Sequence, residues 1–283
     1  MRTSAIRWVL VSILAAATMS CASTETEPAS DSGPQTYREI VAGTAVEFDM
    51  VWIEEGGFWI GRTEVTWDEY LPFCDFDETD RLDPRVDAIT RPSKPLDVYP
   101  YDRDWGAGQR PAVGMSRNAA RKYCEWLSAR TGREYRLPTE AEWEAACIAE
   151  SEHPLRERGW FAENSHGMTE EVATLRQDAN GLYDMLGNLW EYCDNDYDPS
   201  EPGRSVLRGG SWKDSADALT RTSRLGFEDD WLLSDPEYPP GVWWIPDADF
   251  LGFRVVRSGP ASSSEGATTS NDTSTDRATS KAR

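Results

Sequence analysis

Gly181-Leu182-Tyr183-Asp184-Met185-Leu186-Gly187-Asn188-Leu189-Trp190-Glu191 is the stretch on which the reading of this chain turns. It separates two carboxylates by a glycine-bearing turn, so that both can converge on one point. Arg208-Gly209-Gly210-Ser211-Trp212 follows soon after, and no cysteine lies beyond Cys193.

Upstream of that stretch the local signals are orderly. Met50-Val51-Trp52-Ile53 and Phe58-Trp59-Ile60 read as short strands around Glu54-Glu55-Gly56-Gly57, whose glycines permit a tight hairpin. Thr66, with Glu69 three residues on, opens a helix that sets Tyr70 and Phe73 on one side. Ser116 caps a second helix, in which Ala120, Tyr123, Cys124 and Leu127 form one apolar face and which Gly132 ends. Thr139 with Glu142 opens a third, carrying Trp143, Ala146 and Cys147. Residues 151–205 show few clear periods; Val206-Leu207-Arg208 and a strand over 252–257 close the pattern. A Pro- and Asp-rich insertion over 75–111 carries Tyr99, Tyr101 and Trp105. The order is neither βαβ nor a sandwich, and the reading is a single, loop-rich α+β domain. Thirteen tryptophans predict an aromatic core, which lets a loop-rich chain bury enough area.

The ends differ from the middle. Arg2, Arg7 and the apolar run Trp8–Ala17 before Cys21 read as an export signal over 1–21, too short to span a membrane. Cys21 at its end predicts a lipidated N-terminus, as in a bacterial lipoprotein anchored to a membrane; secretion with cleavage nearby is the alternative. Residues 22–38 read as a disordered tether and 258–283 as a disordered tail, since neither can bury a core. Loss of Arg2 and Arg7 with the signal would take the net charge from −21 to −23. Such a surface disfavours nucleic acid and suits cationic partners or divalent cations. Cys74, Cys124, Cys147 and Cys193 allow three full disulfide pairings, among which sequence does not choose.

Five stretches in order resemble one family: Gly57–Gly61 with Glu64-Val65-Thr66; Ala120–Leu127; Tyr135–Glu144; Gly181–Glu191; and Arg208–Trp212 with Gly252-Phe253-Arg254. Over residues 46–257 the chain resembles the sulfatase-modifying-factor, or formylglycine-generating-enzyme, family. The resemblance implies a variant of the C-type lectin fold. It also implies a structural calcium site at the Asp184 and Glu191 side chains and the Gly187 and Leu189 carbonyls. A second implied site starts at the Asn164 side chain and the Ser165 carbonyl, with Asp178 as a candidate partner.

The chemistry of the family does not carry over in the same way. Its oxidases hold copper with two thiolates, a soft pair suited to Cu(I). Those positions fall here on Leu219 and Arg224, so copper is not expected and no catalytic residue is assigned. With only His153 and His166, an iron-binding histidine triad is not available either. The expected function is a catalytically degenerate binding or scaffold module; the alternative is a family oxidoreductase working through other residues. Residues 225–253 hold seven carboxylates, no Lys or Arg, and seven large aromatics. Rings stack on sugars or cations and carboxylates accept from hydroxyls. Trp231, Trp243 and Trp244 are therefore expected to line a surface for a glycan or a peptide, on a core-or-surface question that sequence leaves open.

Overall fold

The computed structural model describes residues 34–74, 108–149, 151–233 and 240–259. Cys21, the signal and most of the tether, the insertion aromatics Tyr99, Tyr101 and Trp105, and the tail beyond Gly259 lie outside the described residues. Among the described residues, nine short strands form two sheets, accompanied by three helices.

The larger sheet has the order β1-β2-β3-β9-β4 and is antiparallel throughout: β1 Thr36–Ile40, β2 Glu47–Ile53, β3 Phe58–Gly61, β4 Tyr135–Arg136 and β9 Val256–Ser258. The expected hairpin joins β2 to β3, with Ile53 opposite Phe58. Its turn needs Gly57, whose φ of +65° places it in the left-handed region. β1 begins inside the stretch expected to be a tether, so the ordered domain starts at or before Thr36 rather than at 46. The pattern misled because β1 turns Glu39 inward and leaves Ile40 67% exposed, the reverse of an apolar alternation.

The smaller sheet has the order β7-β6-β5-β8, formed by β5 Trp190–Asp196, β6 Ser205–Arg208, β7 Arg224–Gly226 and β8 Leu251–Gly252. β5 and β8 run parallel and the other pairs antiparallel. The single closing strand expected over 252–257 is therefore two strands in two sheets. The chain leaves β8, crosses through Phe253-Arg254-Val255 and enters β9. Arg254 at the middle of this crossing is fully buried, and its side chain bridges both parts of the domain.

The helices carry the predicted caps. α1 spans Trp67–Cys74, with the Thr66 hydroxyl donating to Glu69 Oε1 at 2.9 Å. α2 spans Arg117–Thr131; Ser116 Oγ accepts from Ala119 N–H, and Gly132 ends it at φ +68°. α3 spans Glu140–Ala146 behind a reciprocal capping box between Thr139 and Glu142. α1 and α2 pack through aromatic rings: Tyr70 stacks on Tyr123 at 5.6 Å, and Phe73 meets Tyr123 and Trp126. Trp67, Trp244 and Phe253 complete this cluster. A second core lies on the other side of the β2–β3 hairpin, where Val51, Phe58 and Ile60 meet Trp143, Cys147, Leu182, Met185 and Val206.

Candidate functional site

The loop 181–189 leads into β5 without regular structure of its own, and its shape comes from unusual backbone angles. Asp184 and Asn188 both sit at positive φ, +55° and +56°. Asp and Asn tolerate that region better than most residues. Gly187, at φ +99°, is required: a Cβ there would stand 2.2 Å from the Trp160 carbonyl oxygen.

Three carboxylates converge around this loop, and all are buried: Glu64, Asp184 and Glu191. Arg254 is the guanidinium they share. It donates from Nε to Glu191 Oε2 and from Nη2 to Glu191 Oε1, both at 2.6 Å. Its remaining donors reach the Gly61 and Tyr183 carbonyls at 3.1 Å. Trp143 Nε1 on α3 also donates to Glu191 Oε2, at 2.8 Å. Glu64 accepts from Asn188 Nδ2 at 2.8 Å and from Leu189 N–H at 3.1 Å. Burial, reinforced by Asp184 and Glu191 and opposed by Arg254, pushes the Glu64 carboxyl well above its ordinary range. Asp184 Oδ2 accepts from Ala173 N–H at 2.9 Å, while its Oδ1 is buried without a hydrogen-bond partner. Burial raises the Asp184 carboxyl to about 6, against the Ala173 hydrogen bond and the Arg254 charge.

The donor set can be tested against a hard cation. Asp184 Oδ1 is unpartnered, and neither the Gly187 nor the Leu189 carbonyl accepts a hydrogen bond among the described residues. Glu191 is more heavily engaged than expected, since three of its roughly four lone-pair positions are taken by Arg254 and Trp143. One position remains on Oε1. No group of three or more His, Cys, Asp or Glu is placed to share an ion among the described residues. An ion here would thus rest on two carboxylates and two carbonyls, an all-oxygen set that fits calcium.

The second expected site gains no such support. Asn164 closes a local turn, accepting from Phe161 N–H at 2.7 Å and donating to the Gly159 carbonyl at 3.0 Å. Ser165 is buried, its hydroxyl donating to the Trp212 carbonyl. Asp178 accepts from the N–H groups of Ile148, Asn180 and Leu182, which makes it a loop organiser.

Where thiols would be needed for copper, the side chains are committed elsewhere. Leu219 is buried against Gly210. Arg224, on β7, pairs with Glu140 of α3, donates to the Tyr197 carbonyl at 2.6 Å and lies 4.4 Å from the Tyr197 ring. Arg208 is buried over Trp143, donates to the Thr222 and Ser223 carbonyls at 3.0 Å and pairs with Glu144. Arg221 donates to the Glu144 carbonyl at 2.7 Å. These arginines are thus bonded to carbonyls and carboxylates of the fold itself. The four cysteines from Cys74 to Cys193 are all buried. Burial raises the thiols of Cys124 and Cys193, and pushes Cys147 up to about 12, which keeps the nucleophilic thiolate scarce.

The aromatic, acidic segment divides. Trp243 and Trp244 are 1% and 6% exposed, and Trp244 packs on Trp67 and Tyr70. They belong to the core and line no surface, which corrects the expectation for both; an aromatic core needs such rings, and composition did not say which ones. Trp231 is half-buried and packs against the edge of the core, edge-on to Phe227 and Phe250 at 5.3 Å each. Beside it a cleft of about 560 Å³ is lined by Glu201–Arg204 and Phe227–Asp229. A smaller cleft of about 240 Å³ on the other side of the domain includes Arg62, Gln109, Tyr183 and Glu69. Burial raises the Glu69 carboxyl to about 8, against hydrogen bonds from Thr66.

Glu64, Asn188, Arg254 and Glu69 were not singled out as site residues from sequence. Glu64 and Arg254 carried a signal, as lone charges beside the apolar runs Phe58–Gly61 and Leu251–Phe253.

The family described as the sulfatase-modifying factor enzyme 1-like domain matches residues 32–235. The inactive C-alpha-formylglycine-generating enzyme 2 of Bos taurus is 34% identical over 140 residues, covering 41% of this chain and 44% of that protein. The formylglycine-generating enzyme of Streptomyces coelicolor is 31% identical over 142 residues, covering 38% of this chain and 43% of the relative. The chain thus spans less than half the length of these relatives. Among solved structures, Treponema denticola variable protein 1 superposes with a TM-score of 0.56 at 21% identity, over 79% of this chain and 99% of that one. CarF superposes at 0.51 with 20% identity, over 80% and 96%. These two share the fold, a C-type lectin-like variant. On the family match and the motifs that carry it, the chain belongs to the sulfatase-modifying-factor, or formylglycine-generating-enzyme-like, family.

Proposed function

We propose that this chain is a degenerate member of its family: a calcium-stabilised binding or scaffold module that does not oxidise thiols. One observation carries the reading. The positions that align with the family's copper-binding cysteines are Leu219, packed in the core, and Arg224, paired with Glu140. The similarity to a relative whose own name calls it inactive supports it. Oxygen uptake by the copper-loaded protein with a cysteine-bearing peptide tests it: uptake at background is expected, and uptake above background overturns it.

Calcium would be held by Asp184 through Oδ1, the Gly187 and Leu189 carbonyls and the remaining position on Glu191 Oε1. Its contribution there is positive charge beside three buried carboxylates that share one guanidinium. The ligand of the module is a glycan or a basic peptide. Trp231 with Phe227 supplies ring faces, and Glu201, Glu228 and Asp229 supply acceptors along the adjoining cleft. Trp231→Ala is expected to abolish glycan-array or cationic-peptide binding in protein that still folds, with a lowered melting temperature from the lost packing on Phe227 and Phe250; retained binding removes the ring from the account. Lipidation at Cys21 would place the module on a membrane outside the cytoplasm; failure of radiolabelled palmitate to enter the chain in a bacterial host, with Cys21→Ser as control, removes that element.

A further inference from the structure

The two carbonyls offered to a cation project from a loop whose consecutive peptide planes are each held by a different part of the chain. Asn188 N–H donates to the Trp160 carbonyl at 2.7 Å, and Trp190 N–H donates to the Phe250 carbonyl at 2.9 Å. In a trans peptide the carbonyl points opposite its N–H. These two bonds therefore turn the Gly187 and Leu189 carbonyls away from Trp160 and Phe250. The plane between them is held from one side by Glu64 Oε1, which accepts from Leu189 N–H at 3.1 Å, and from the other by Trp212 N–H, which donates to the Asn188 carbonyl at 2.9 Å.

Glu64 does more than accept one bond. Its Oε2 takes Asn188 Nδ2 at 2.8 Å, while Asn188 Oδ1 accepts from Glu170 N–H at 3.0 Å. Asn188 is fully buried and sits at φ +56°, so its side chain is one of the forces that keep an unfavourable backbone angle in place. Glu64 comes from the segment between β3 and α1, far from the loop in sequence. Both of its oxygens are occupied by donors of the loop. The nearby Asp184 Oδ1 is the buried oxygen left without a hydrogen bond.

We infer that Glu64, acting through Asn188 and the Leu189 N–H, is a positioning residue for the cation loop and not a ligand within it: it fixes the directions of the Gly187 and Leu189 carbonyls before an ion arrives. The inference rests on the calcium reading above. Residues that orient metal ligands typically set affinity by a factor of about 10–100.

The test is calcium titration calorimetry on the full chain, chelator-stripped, for wild type, Glu64→Gln and Asn188→Gly. The glutamine is isosteric but brings an amide donor against one of the two loop donors. Flipping Asn188 to meet it would break the bond from Glu170. The glycine removes the strut while suiting positive φ, so the metal-free fold is expected to survive even if Glu64→Gln does not fold. Both variants are expected to bind calcium at least tenfold more weakly, with metal-free Asn188→Gly folded but melting below wild type, because Glu64 and the Glu170 N–H lose a buried partner. Wild-type affinity in Asn188→Gly, or in a folded Glu64→Gln, overturns the positioning role and leaves the calcium reading standing. No calcium heat from the wild type overturns the calcium reading and the inference with it.

Discussion

Glu69 shows what burial does to a single carboxyl in this domain. Its acid is raised to about 8 from an ordinary 4.5, because burial outweighs the hydrogen bonds from Thr66. Between those values the folded protein holds a proton that the unfolded chain has released. Stability therefore falls as pH rises from about 4.5 to about 8 and levels off above. Glu69→Gln keeps the acceptor for Thr66 and removes the ionisation, so it should stabilise the protein at pH 8 by about 1–3 kcal/mol and flatten that part of the pH–stability curve. Urea denaturation at pH 5 and pH 8 checks both. Arg254 is the opposite case, a buried charge that is fully paired. Arg254→Met leaves Glu191 buried with Trp143 as its remaining donor and should cost about 3–5 kcal/mol, whereas Glu191→Leu added to it should return much of that loss. A denaturant double-mutant cycle reads the difference. Asp184 and the two carbonyls could be named from the sequence only as what the family resemblance implies; Arg254's hold on Glu191 could not be read at all, because it joins residues 63 positions apart.

Elements announced themselves in sequence where the signal was local. The three described helices begin at the predicted caps, since a hydroxyl bonds within the first turn without help from the rest of the chain: Thr66 with Glu69, Thr139 with Glu142, and Ser116 with the Ala119 N–H. Thr139→Ala should cost about 1 kcal/mol, measured by thermal or chemical melting, because the capping box of α3 is lost. α3 also carries Trp143 to Glu191 and Glu140 to Arg224, so that loss should spread to both places. The strands were less legible. β5 and β7 draw their order from neighbours in the sheet rather than from alternation, β1 is inverted by its inward Glu39, and the break between β8 and β9 exists to bury Arg254. Trp243 and Trp244 show the same limit: both lie in the core, Trp244 against Trp67 and Tyr70 at α1, and composition does not encode that depth.

At the scale of the molecule, a chain with a net charge of −21 keeps three acids beside one another in its interior with a single guanidinium among them. A bound cation would relieve that imbalance and hold together the loop that leads into β5. At calcium concentrations a hundredfold above Kd, linkage predicts a gain of about 2.7 kcal/mol, so chelation should lower the melting midpoint measurably. An unchanged midpoint, with no metal found by elemental analysis, would remove calcium from the account. The family fold has been kept, while the positions that the resemblance aligns with the copper-binding cysteines hold an aliphatic core residue and an ion-paired arginine. The most direct measurement is mass spectrometry of a cysteine-bearing substrate peptide incubated with the purified, copper-loaded protein under oxygen. The peptide is predicted to keep its cysteine, with no aldehyde above the copper-only control; formylglycine in the peptide would contradict the account.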